Sequence, residues 1–551
     1  METVMNKKCL KSCFNFVSNS VKVFSTFSES FIGDPKCFHF AITSANNIMS
    51  QKSLNPGISM TQQHLLFRSS SSYLSGSTVA EVLQNADRIY EFVEKNITSL
   101  LESKINSFRH TYSSLSLEKK MEVLKSLACD HDVDHAAVLN LLKNTRNSKL
   151  DESELSAFEN RARALLSPRY LSLFKAIGRS QNGVKFLVDL RLDILHLQSK
   201  LTAVAPESIQ HLQSKLTAVA PESIQVRRLN TVLKNLLSDW FNVGFLELRR
   251  VTWKSSCEML QKISEYEAVH PMRSWTDLKR RVGAYRRCFV YTHFAMPNEP
   301  LVVLHTALCE NIASSTSEIF SSSKNSKQPQ DNTEVPDIEE DLSNKNTAIF
   351  YSISSTQPGL QGIELGNHLI KRVVRELQSE LPQISQFSTL SPIPGFTPWL
   401  LDRFKFWEAE NWFPVEEIKP YLIKDDKSVW TNLRHLFVTN SWYKEPALHS
   451  ILKEPLLKLC GHYLYNEKKR SFALNSVANF HLKNGAVLWR INWLADVSPR
   501  GLSNSCGIMV NYRYFLAETE TNSRNYLKNQ TISASESVLK LVNDKYLVSK
   551  M

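Results

Sequence analysis

The pattern of apolar residues changes near Arg250, and this change constrains the fold more than any other feature of the chain. From residue 77 to 241, apolar residues recur at helical spacing between short breaks. Beyond Arg250, short segments rich in β-branched and aromatic residues alternate with turn-forming residues. The sequence therefore predicts an α+β fold, in which an all-helical domain precedes an α/β domain with a mixed, largely antiparallel sheet.

The predicted organisation has three parts: a leader or disordered segment over 1–76, a helical domain over 77–241 and an α/β domain over 242–551. Candidate strands of the last part are 288–294, 301–308, 348–354 and 507–515, and candidate helices are 365–381 and 533–548. The polar run 314–346 has too few apolar residues to order itself, so we expect a mobile insert there.

Asn484-Gly485 lies between two alternating segments and is a dipeptide typical of tight hairpin turns. On this interpretation His481 lies on the first strand, on the same face as Val477 and Asn479. The returning strand carries Arg490 and Asn492 on its more polar face. A histidine beside an amide, rather than in an aliphatic row, indicates one wall of a functional site.

Composition limits the classes of partner. The 551 residues are 42% hydrophobic, and a net charge of +12 favours acidic partners. No nucleic-acid motif accompanies this charge, and no run of about 18 apolar residues predicts a membrane span. The nine cysteines lack a CxxC pair, which favours a reducing compartment over a disulfide framework. We therefore expect neither nucleic acid nor a membrane as partner.

Both ends of the chain carry possible targeting signals. The acid-poor, Ser- and Lys-bearing stretch 3–28 fits an organelle-import leader, and a plain disordered tail is the alternative. The C-terminal Ser549-Lys550-Met551 differs by one residue from a peroxisomal address. Between them, HLQSKLTAVAPESIQ at 196–210 recurs unchanged at 211–225. One perfect copy of this length indicates a recent duplication or a gene-model error rather than a solenoid.

Two clusters of charged or ligating residues have simple structural explanations. His131 and His135 have metal-like spacing, but Asp132 stands where a helical zinc-protease motif needs glutamate, so we predict a solvated helix start and no metal site. The densest basic cluster is either a phosphate-binding patch or a solvated face; it comprises Lys279, Arg280, Arg281, Arg286 and Arg287.

The segment 348–375 has a more specific pattern, in which Gly359, Gly362 and Gly366 stand between a predicted strand and an apolar helix. Glycines at this place let backbone N–H groups approach an anion at the positive end of the helix. The spacing is neither that of a Walker A loop nor that of a Rossmann fingerprint. A pyrophosphate-bearing ligand is the expected occupant, with a simple turning loop as the alternative.

Four segments together resemble malonyl-CoA decarboxylase: LVVLHTAL (301–308), FYSISSTQPGLQGIELG (350–366), LSPIPGF (390–396) and NSVANFHLKNGAVLWRINWLADVSPRG (475–501). The resemblance extends from about residue 78 to the end. It implies a helical domain used in assembly and a GNAT-like catalytic domain whose strand-loop-helix binds the CoA pyrophosphate. The expected state is a homo-oligomer, a dimer of dimers.

The resemblance also implies roles for individual residues. The catalytic pair would be Ser391 and His481, and Ser352 and Tyr514 would line the active site. The coenzyme-binding loop would comprise Gln361, Gly362, Ile363, Glu364, Leu365, Gly366 and Asn367. Cys257 resembles a cysteine that can bridge subunits, and Lys262 resembles a functionally sensitive lysine.

The implied reaction converts malonyl-CoA into acetyl-CoA and CO2 through an enolate that the Ser391/His481 pair protonates, and it would control the malonyl-CoA level in fatty acid metabolism. It needs no cofactor because the thioester carbonyl is the electron sink. The expected compartment is the mitochondrial matrix, the peroxisome or both, with the cytoplasm as a further alternative. Rival interpretations are an acyl-CoA-dependent N-acyltransferase of the same fold and a coenzyme-responsive scaffold without activity.

Overall fold

The computed structural model describes residues 78–145, 151–203, 221–321, 340–403, 413–422 and 429–543. The predicted leader, the junction between the tandem copies, the middle of the predicted insert and the C-terminal tripeptide lie outside these ranges.

The chain forms two compact units. One comprises the residues up to Leu173 together with Asp193–Asn230, and the other comprises Phe174–Leu192 and the residues from Thr231 onward. The predicted division between 241 and 242 assigns Phe174–Leu192 and residues 231–241 to the helical domain, whereas these segments belong to the second compact unit.

The N-terminal part is helical, as predicted. Its helices are α1 Val79–Glu94, α2 Leu101–Ser113, α3 Leu117–Asp130, α4 His135–Thr145, α5 Glu152–Leu165, α6 Arg169–Arg179, α7 Gly183–Ala203 and α8 Pro221–Trp240. Val82, Ala86 and Ile89 have no exposed surface and recur at the spacing of one helix face. Asp151 begins α5 with a capping box, because its side chain accepts from Glu154 N while the Glu154 side chain accepts from Asp151 N.

The C-terminal part contains an eight-stranded sheet. Its strands are β1 Leu246–Val251, β2 Arg286–His293, β3 Val302–Cys309, β4 Thr347–Ser355, β5 Gln386–Thr389, β6 Ser391–Pro392, β9 Val487–Asn492 and β10 Met509–Tyr514, while β7 Lys468–Lys469 and β8 Phe472–Ala473 form a separate pair. The order is β1-β2-β3-β4-β5-β10-β6, with β9 also paired to β10. Every pairing in this sheet is antiparallel except β4–β5. The predicted α+β fold with a mixed, largely antiparallel sheet is confirmed.

More helices connect these strands than the sequence predicts. They are α9 Cys257–Glu265, α10 Trp275–Arg281, α11 Thr316–Ser321, α12 Gly366–Glu380, α13 Phe396–Arg403, α14 Val415–Ile418, α15 Val429–Thr439, α16 Pro446–Tyr465, α17 Ser476–Lys483, α18 Pro499–Ser505, α19 Thr519–Asn529 and α20 Glu536–Val542. The candidate helix 365–381 corresponds to α12, and α20 lies within the candidate helix 533–548. Several of the others span two turns or fewer, too short for an apolar period to be distinct from a loop.

The predicted hairpin at Asn484-Gly485 is wrong, because its first strand is the helix α17. Asn475 caps the start of this helix by accepting a hydrogen bond from Ala478 N. Asn484 is the C-cap, and Gly485 follows with φ +80°. A glycine in the left-handed region ends a helix as readily as it forms a hairpin turn, so the dipeptide alone could not separate the two.

The insert predicted over 314–346 is ordered at both described ends. Thr316–Ser321 forms α11, and Glu340 pairs with the buried guanidinium of Arg287 at 2.8 Å. Residues 322–339 lie outside the described ranges.

Candidate active site

Ser391 lies just past the point where the chain leaves β4, while β10 remains the neighbour of both β5 and β6. Thr389 ends β5, which pairs with β4, whereas Ser391 in β6 pairs with Val510 of β10. Pro392 follows at once and cannot donate to the sheet, which limits β6 to two residues. The Ser391 hydroxyl is buried and donates to Thr389 Oγ1 at 2.9 Å.

His481 reaches the same place from α17. Its Nε2 atom lies 3.3 Å from Ser391 Oγ, and its Nδ1 atom lies 2.8 Å from the Tyr514 hydroxyl. Its ring stacks on Tyr512, with centroids 4.6 Å apart. Asn475 connects the segments that carry Ser391 and His481, since its amide donates to Pro394 O at 2.8 Å while its oxygen caps α17. The structure thus brings Ser391, His481 and Tyr514 together.

The hydrogen bonds assign the tautomer of His481. Because Ser391 gives its only hydrogen to Thr389, Ser391 Oγ accepts from Nε2. Nδ1 is then the acceptor and Tyr514 O–H the donor. Thr389 Oγ1 is itself held by the backbone N–H of Tyr512 at 3.0 Å. The result is a continuous chain of hydrogen bonds from Tyr514 through His481 to Thr389.

Burial controls the ionisation of this chain. It lowers the pKa of His481 to about 3, so the ring is neutral near pH 7. Burial also raises the pKa of Tyr514, which keeps its hydroxyl protonated. A neutral ring passes a proton on only if it receives another.

Ser352 belongs to a different cluster. It lies on β4 and donates to the buried carboxylate of Glu267, with Oγ 2.8 Å from each carboxylate oxygen. Glu267 also accepts from the backbone N–H groups of Val269 and His270. His305 Nε2 lies 3.5 Å from the same carboxylate. The hydrogen bonds of Ser352 therefore do not join it to the Ser391–His481 chain.

The glycine-bearing loop between β4 and α12 is held closely against its neighbours. A Cβ atom at Gly359 would lie 1.8 Å from Val188 O, and one at Gly366 would lie 2.8 Å from Phe480 Cε2, next to His481 in the chain. Only glycine fits such approaches. Gly362 has φ +77°, a left-handed conformation that glycine adopts freely.

Arg191 supports this loop from the buried side. Its guanidinium donates to Gly359 O and to Gln361 O, the latter at 2.8 Å. Because C=O and N–H of a trans peptide point in opposite directions, the Gly362 N–H is turned away from Arg191. The Lys234 ammonium lies near Gly362, 3.5 Å from where a Cβ would stand. Sequence reasoning missed Arg191, which lies far from the loop in the chain and has no local motif.

Lys262 and Cys257 both lie on α9. Lys262 Nζ donates to Glu258 at 2.8 Å and to Glu299 at 2.9 Å. Burial alone would lower the pKa of Lys262, but these hydrogen bonds raise it above its usual value. The other oxygen of Glu299 accepts from Gln357, which directly precedes the glycine loop. Cys257 is exposed and free in the single chain.

The predicted basic cluster is largely engaged in structural contacts. Arg281 binds Asp277 and His270 O, Arg286 binds Tyr285 O and Ile319 O, and Arg287 binds Glu340 and Glu380; all three arginines are buried. These guanidinium groups already have acceptors, so the alternative of a phosphate-binding patch is not supported there.

The described residues also bear on a metal site and on a membrane span. His131, the C-cap of α3, is buried against Tyr90 rather than solvated, and no cluster of three or more His, Cys, Asp or Glu side chains suited to a metal occurs in the described ranges. Among the same residues, no helix has the length and apolar character needed to cross a bilayer.

The helical region, the mixed and largely antiparallel sheet, and the glycine loop after β4 define an α+β protein with an N-terminal helical part. Two family models match the chain: the malonyl-CoA decarboxylase C-terminal domain over residues 244–550 and the malonyl-CoA decarboxylase N-terminal domain over residues 131–241. The chain belongs to the malonyl-CoA decarboxylase family, a family of enzymes.

Individual relatives agree with this assignment. The mitochondrial malonyl-CoA decarboxylase of the goose Anser anser anser is 44% identical over 491 residues, which cover 86% of this chain and 91% of the relative. That of Mus musculus is 44% identical over 485 residues, with coverages of 85% and 92%. The crystal structure of malonyl-CoA decarboxylase from Rhodopseudomonas palustris has a TM-score of 0.66 at 27% identity, covering 84% of this chain and 99% of that chain.

Proposed function

We propose that this protein converts malonyl-CoA into acetyl-CoA and CO2, with Ser391 and His481 as its catalytic pair. The observation that carries the proposal is the 3.3 Å contact between Ser391 Oγ and His481 Nε2 in a chain of this family. The helix that carries His481 also touches the glycine loop, through Phe480 and Gly366. The reacting acyl group and the coenzyme would therefore be held by adjoining elements.

The reaction breaks one C–C bond and forms one C–H bond. The electron pair of the bond to the departing carboxylate moves to the thioester, giving an enolate and CO2, and the enolate carbon then takes up a proton. The enzyme must hold the breaking bond perpendicular to the carbonyl plane and stabilise charge on the thioester oxygen. No cofactor is required, because the thioester carbonyl itself accepts the electron pair.

When substrate binds, the Ser391 hydroxyl turns from Thr389 to donate to the departing carboxylate, and Ser391 exchanges protons with His481. Because His481 is neutral, it acts as a relay: Nε2 gives its proton to the reacting carbon or to Ser391 while Nδ1 takes the proton of the Tyr514 hydroxyl. The phenolate so formed at Tyr514 takes up a proton from solvent before the next turnover, which supplies the one proton that the net reaction consumes. A lost hydrogen bond at Tyr514 would leave the ring without this second partner. Tyr514 therefore takes part in the relay as well as lining the site.

The coenzyme diphosphate binds the predicted loop. Ser352 remains a predicted residue of the active-site lining. This loop comprises Gln361, Gly362, Ile363, Glu364, Leu365, Gly366 and Asn367. Its glycines allow close approach, and the N-terminus of α12 begins at Gly366, where a helix favours an anion. Arg191 acts as a positioning residue, since it turns the Gly362 N–H outward.

Cellular role, compartment and assembly are part of the same proposal. The enzyme would lower malonyl-CoA and so act in fatty acid metabolism. The goose and mouse relatives are named mitochondrial, which supports the mitochondrial matrix, with the peroxisome and the cytoplasm as further compartments to test. We also propose a dimer of dimers built through the helical domain, with Cys257 able to bridge subunits, and a role for Lys262 in holding the loop through Glu299.

The direct test measures CO2 from malonyl-CoA with the full chain and no amine present. We expect stoichiometric CO2 and acetyl-CoA. An N-acyltransferase would need an amine acceptor and release free CoA instead, and a scaffold would bind CoA without turnover. Absence of CO2 under these conditions would contradict the proposed function.

A further inference from the structure

A cleft beside the proposed coenzyme loop has the chemistry of a nucleotide-phosphate site. It is an open cleft of about 460 Å³ between α12 and α19, and its lining residues are Lys371, Glu520, Ser523, Arg524, Leu527 and Lys528. Three cations face one carboxylate here, so the cleft carries net positive charge. All three cationic side chains are exposed, and no ion pair found among the described residues involves them.

This charge differs in kind from the basic run near residue 280. The guanidinium groups of Arg281 and Arg287 are buried and bound to carboxylates. The cations of the cleft remain available to an incoming anion. Charge-assisted hydrogen bonds from Lys and Arg to phosphate are among the stronger contacts a protein surface offers.

The position of the cleft relates it to the coenzyme. Lys371 lies five residues after Gly366 on α12, which is about 7.5 Å along the axis at 1.5 Å per residue. On the other wall, the Ser523 hydroxyl donates to Lys483 O, the last residue of the helix that carries His481. One wall of the cleft therefore lies on the helix that follows the proposed diphosphate loop, and the other wall is hydrogen-bonded to the helix that carries His481.

Leu527 adds an apolar surface to the cations. Its side chain is 48% exposed. A flat base can cover such a side chain while a phosphate on the adjoining ribose meets the cations. An inorganic anion would have no use for the apolar surface.

We propose that this cleft binds the 3′-phosphoadenosine end of the coenzyme, with Lys371 and Arg524 contacting the 3′-phosphate. The proposal rests on the proposed function, since it assumes that the diphosphate binds residues 361–367. The cleft is remote from the reacting carbon, so it stabilises the ground state and the transition state equally. Its loss should raise KM and leave kcat unchanged.

The test compares CoA with 3′-dephospho-CoA by calorimetry, so that it does not depend on turnover. The full chain is compared with the double variant Lys371→Ala/Arg524→Ala, with Lys540→Ala of α20 as a control that removes a lysine charge away from the cleft. We expect the wild type to bind CoA about 10- to 100-fold more tightly than dephospho-CoA. In the double variant this preference should shrink to about threefold or less, while the affinity for dephospho-CoA stays unchanged.

The proposal is overturned if the wild type binds both ligands equally, or if the double variant weakens both by the same factor. KM values for malonyl-CoA and its 3′-dephospho form provide a second measurement. If the double variant fails to fold, the single variants Lys371→Ala and Arg524→Ala must each lower the preference. Failure of the proposed function would appear separately, as no CO2 from either substrate whatever the binding result.

Discussion

Two buried serine–histidine groups lie in the described part of the sheet domain, and only in one of them do both ring nitrogens have hydrogen-bond partners. In the first, Ser391 meets His481, whose ring stacks on Tyr512 at 4.6 Å and 23°. In the second, Ser352 faces His305 across β3 and β4. There the histidine ring stacks on Tyr351 at 5.8 Å and 26°.

The groups differ in their hydrogen bonds. His481 has partners at both ring nitrogens, Ser391 and Tyr514. Neither ring nitrogen of His305 has a hydrogen-bond partner in the described structure, and Ser352 donates its hydrogen to Glu267. A ring with one partner on each side can release a proton while gaining another. Nearness of serine and histidine is therefore insufficient, and the partner at the second nitrogen decides the chemistry.

The largest expected effect comes from replacing the histidine of the first group. We expect His481→Asn to lower kcat for CO2 release by about 10³-fold or more, because the proton relay is lost. Coenzyme affinity should stay within about threefold, since the loop is intact. Steady-state assays and calorimetry measure the two quantities.

The matched control is His305→Leu, which removes the other buried imidazole without breaking a hydrogen bond. Its kcat should stay within about threefold of wild type. Normal turnover by His481→Asn would exclude His481 from the chemistry, and an equal loss in both variants would remove the distinction between the groups.

A smaller effect tests the second nitrogen of the ring. Tyr514→Phe deletes the donor to His481 Nδ1 and should lower kcat about tenfold, the value of one buried hydrogen bond. Tyr351→Phe is the control, because its buried hydroxyl has no hydrogen-bond partner among the described residues. It should change kcat by less than about twofold. Equal kcat values for the two variants would mean that Tyr514 does not support the relay.

The third prediction concerns stability of the second group. Ser352→Ala removes the donor and Glu267→Ala removes the acceptor of one buried hydrogen bond, so their effects on the free energy of unfolding should not add. We expect a coupling of about 1 kcal/mol or more in a double-mutant cycle measured by urea unfolding. Additive losses would show that the two side chains do not hold each other.

The smallest expected effect is on the pH dependence of the free energy of unfolding, to which both buried histidines contribute. Burial lowers the pKa of His481 to about 3. Burial also lowers the pKa of His305 to about 4, although the negative charge of Glu267 acts to raise it. Each ring stays neutral when folded but takes up a proton when unfolded below pH about 6.5, so stability is lost as pH falls below that value.

Between pH 7.5 and 5.5 each histidine should contribute about 1 kcal/mol to this loss. Urea unfolding at the two pH values should therefore give a smaller loss for His305→Leu than for the wild type. An unchanged loss would mean that His305 is not held neutral. Activity should show no ionisation near pH 6.5 that belongs to His481.

Much of the sheet could be predicted from sequence because its strands have strong local patterns. Strands β2, β3 and β4 are almost fully buried and read as apolar runs, and the glycines before α12 predict the loop. Prediction failed at α17, where Asn475 and Asn484 serve as caps of a helix rather than as parts of a hairpin. Both interpretations satisfy the same local rules, and packing selects between them.

The partners of the candidate site were beyond sequence reasoning. Thr389 and Tyr512 come to the site through the pairing of strands. Asn475 joins two segments about eighty residues apart in the chain. Glu267, from a different element, accepts the hydrogen bond of Ser352. None carries a motif, because a threonine or asparagine in a strand or cap has the same local appearance whether or not it touches a catalytic group.

By itself, the sequence determined the fold class, the glycine loop and the resemblance that selected Ser391 and His481, because these depend on residue types at short spacing. Only the tertiary structure decided which histidine has a partner at each nitrogen, that burial holds it neutral, and which cations remain free for a phosphate. Those properties depend on desolvation and on contacts between residues far apart in the chain, which local pattern does not encode.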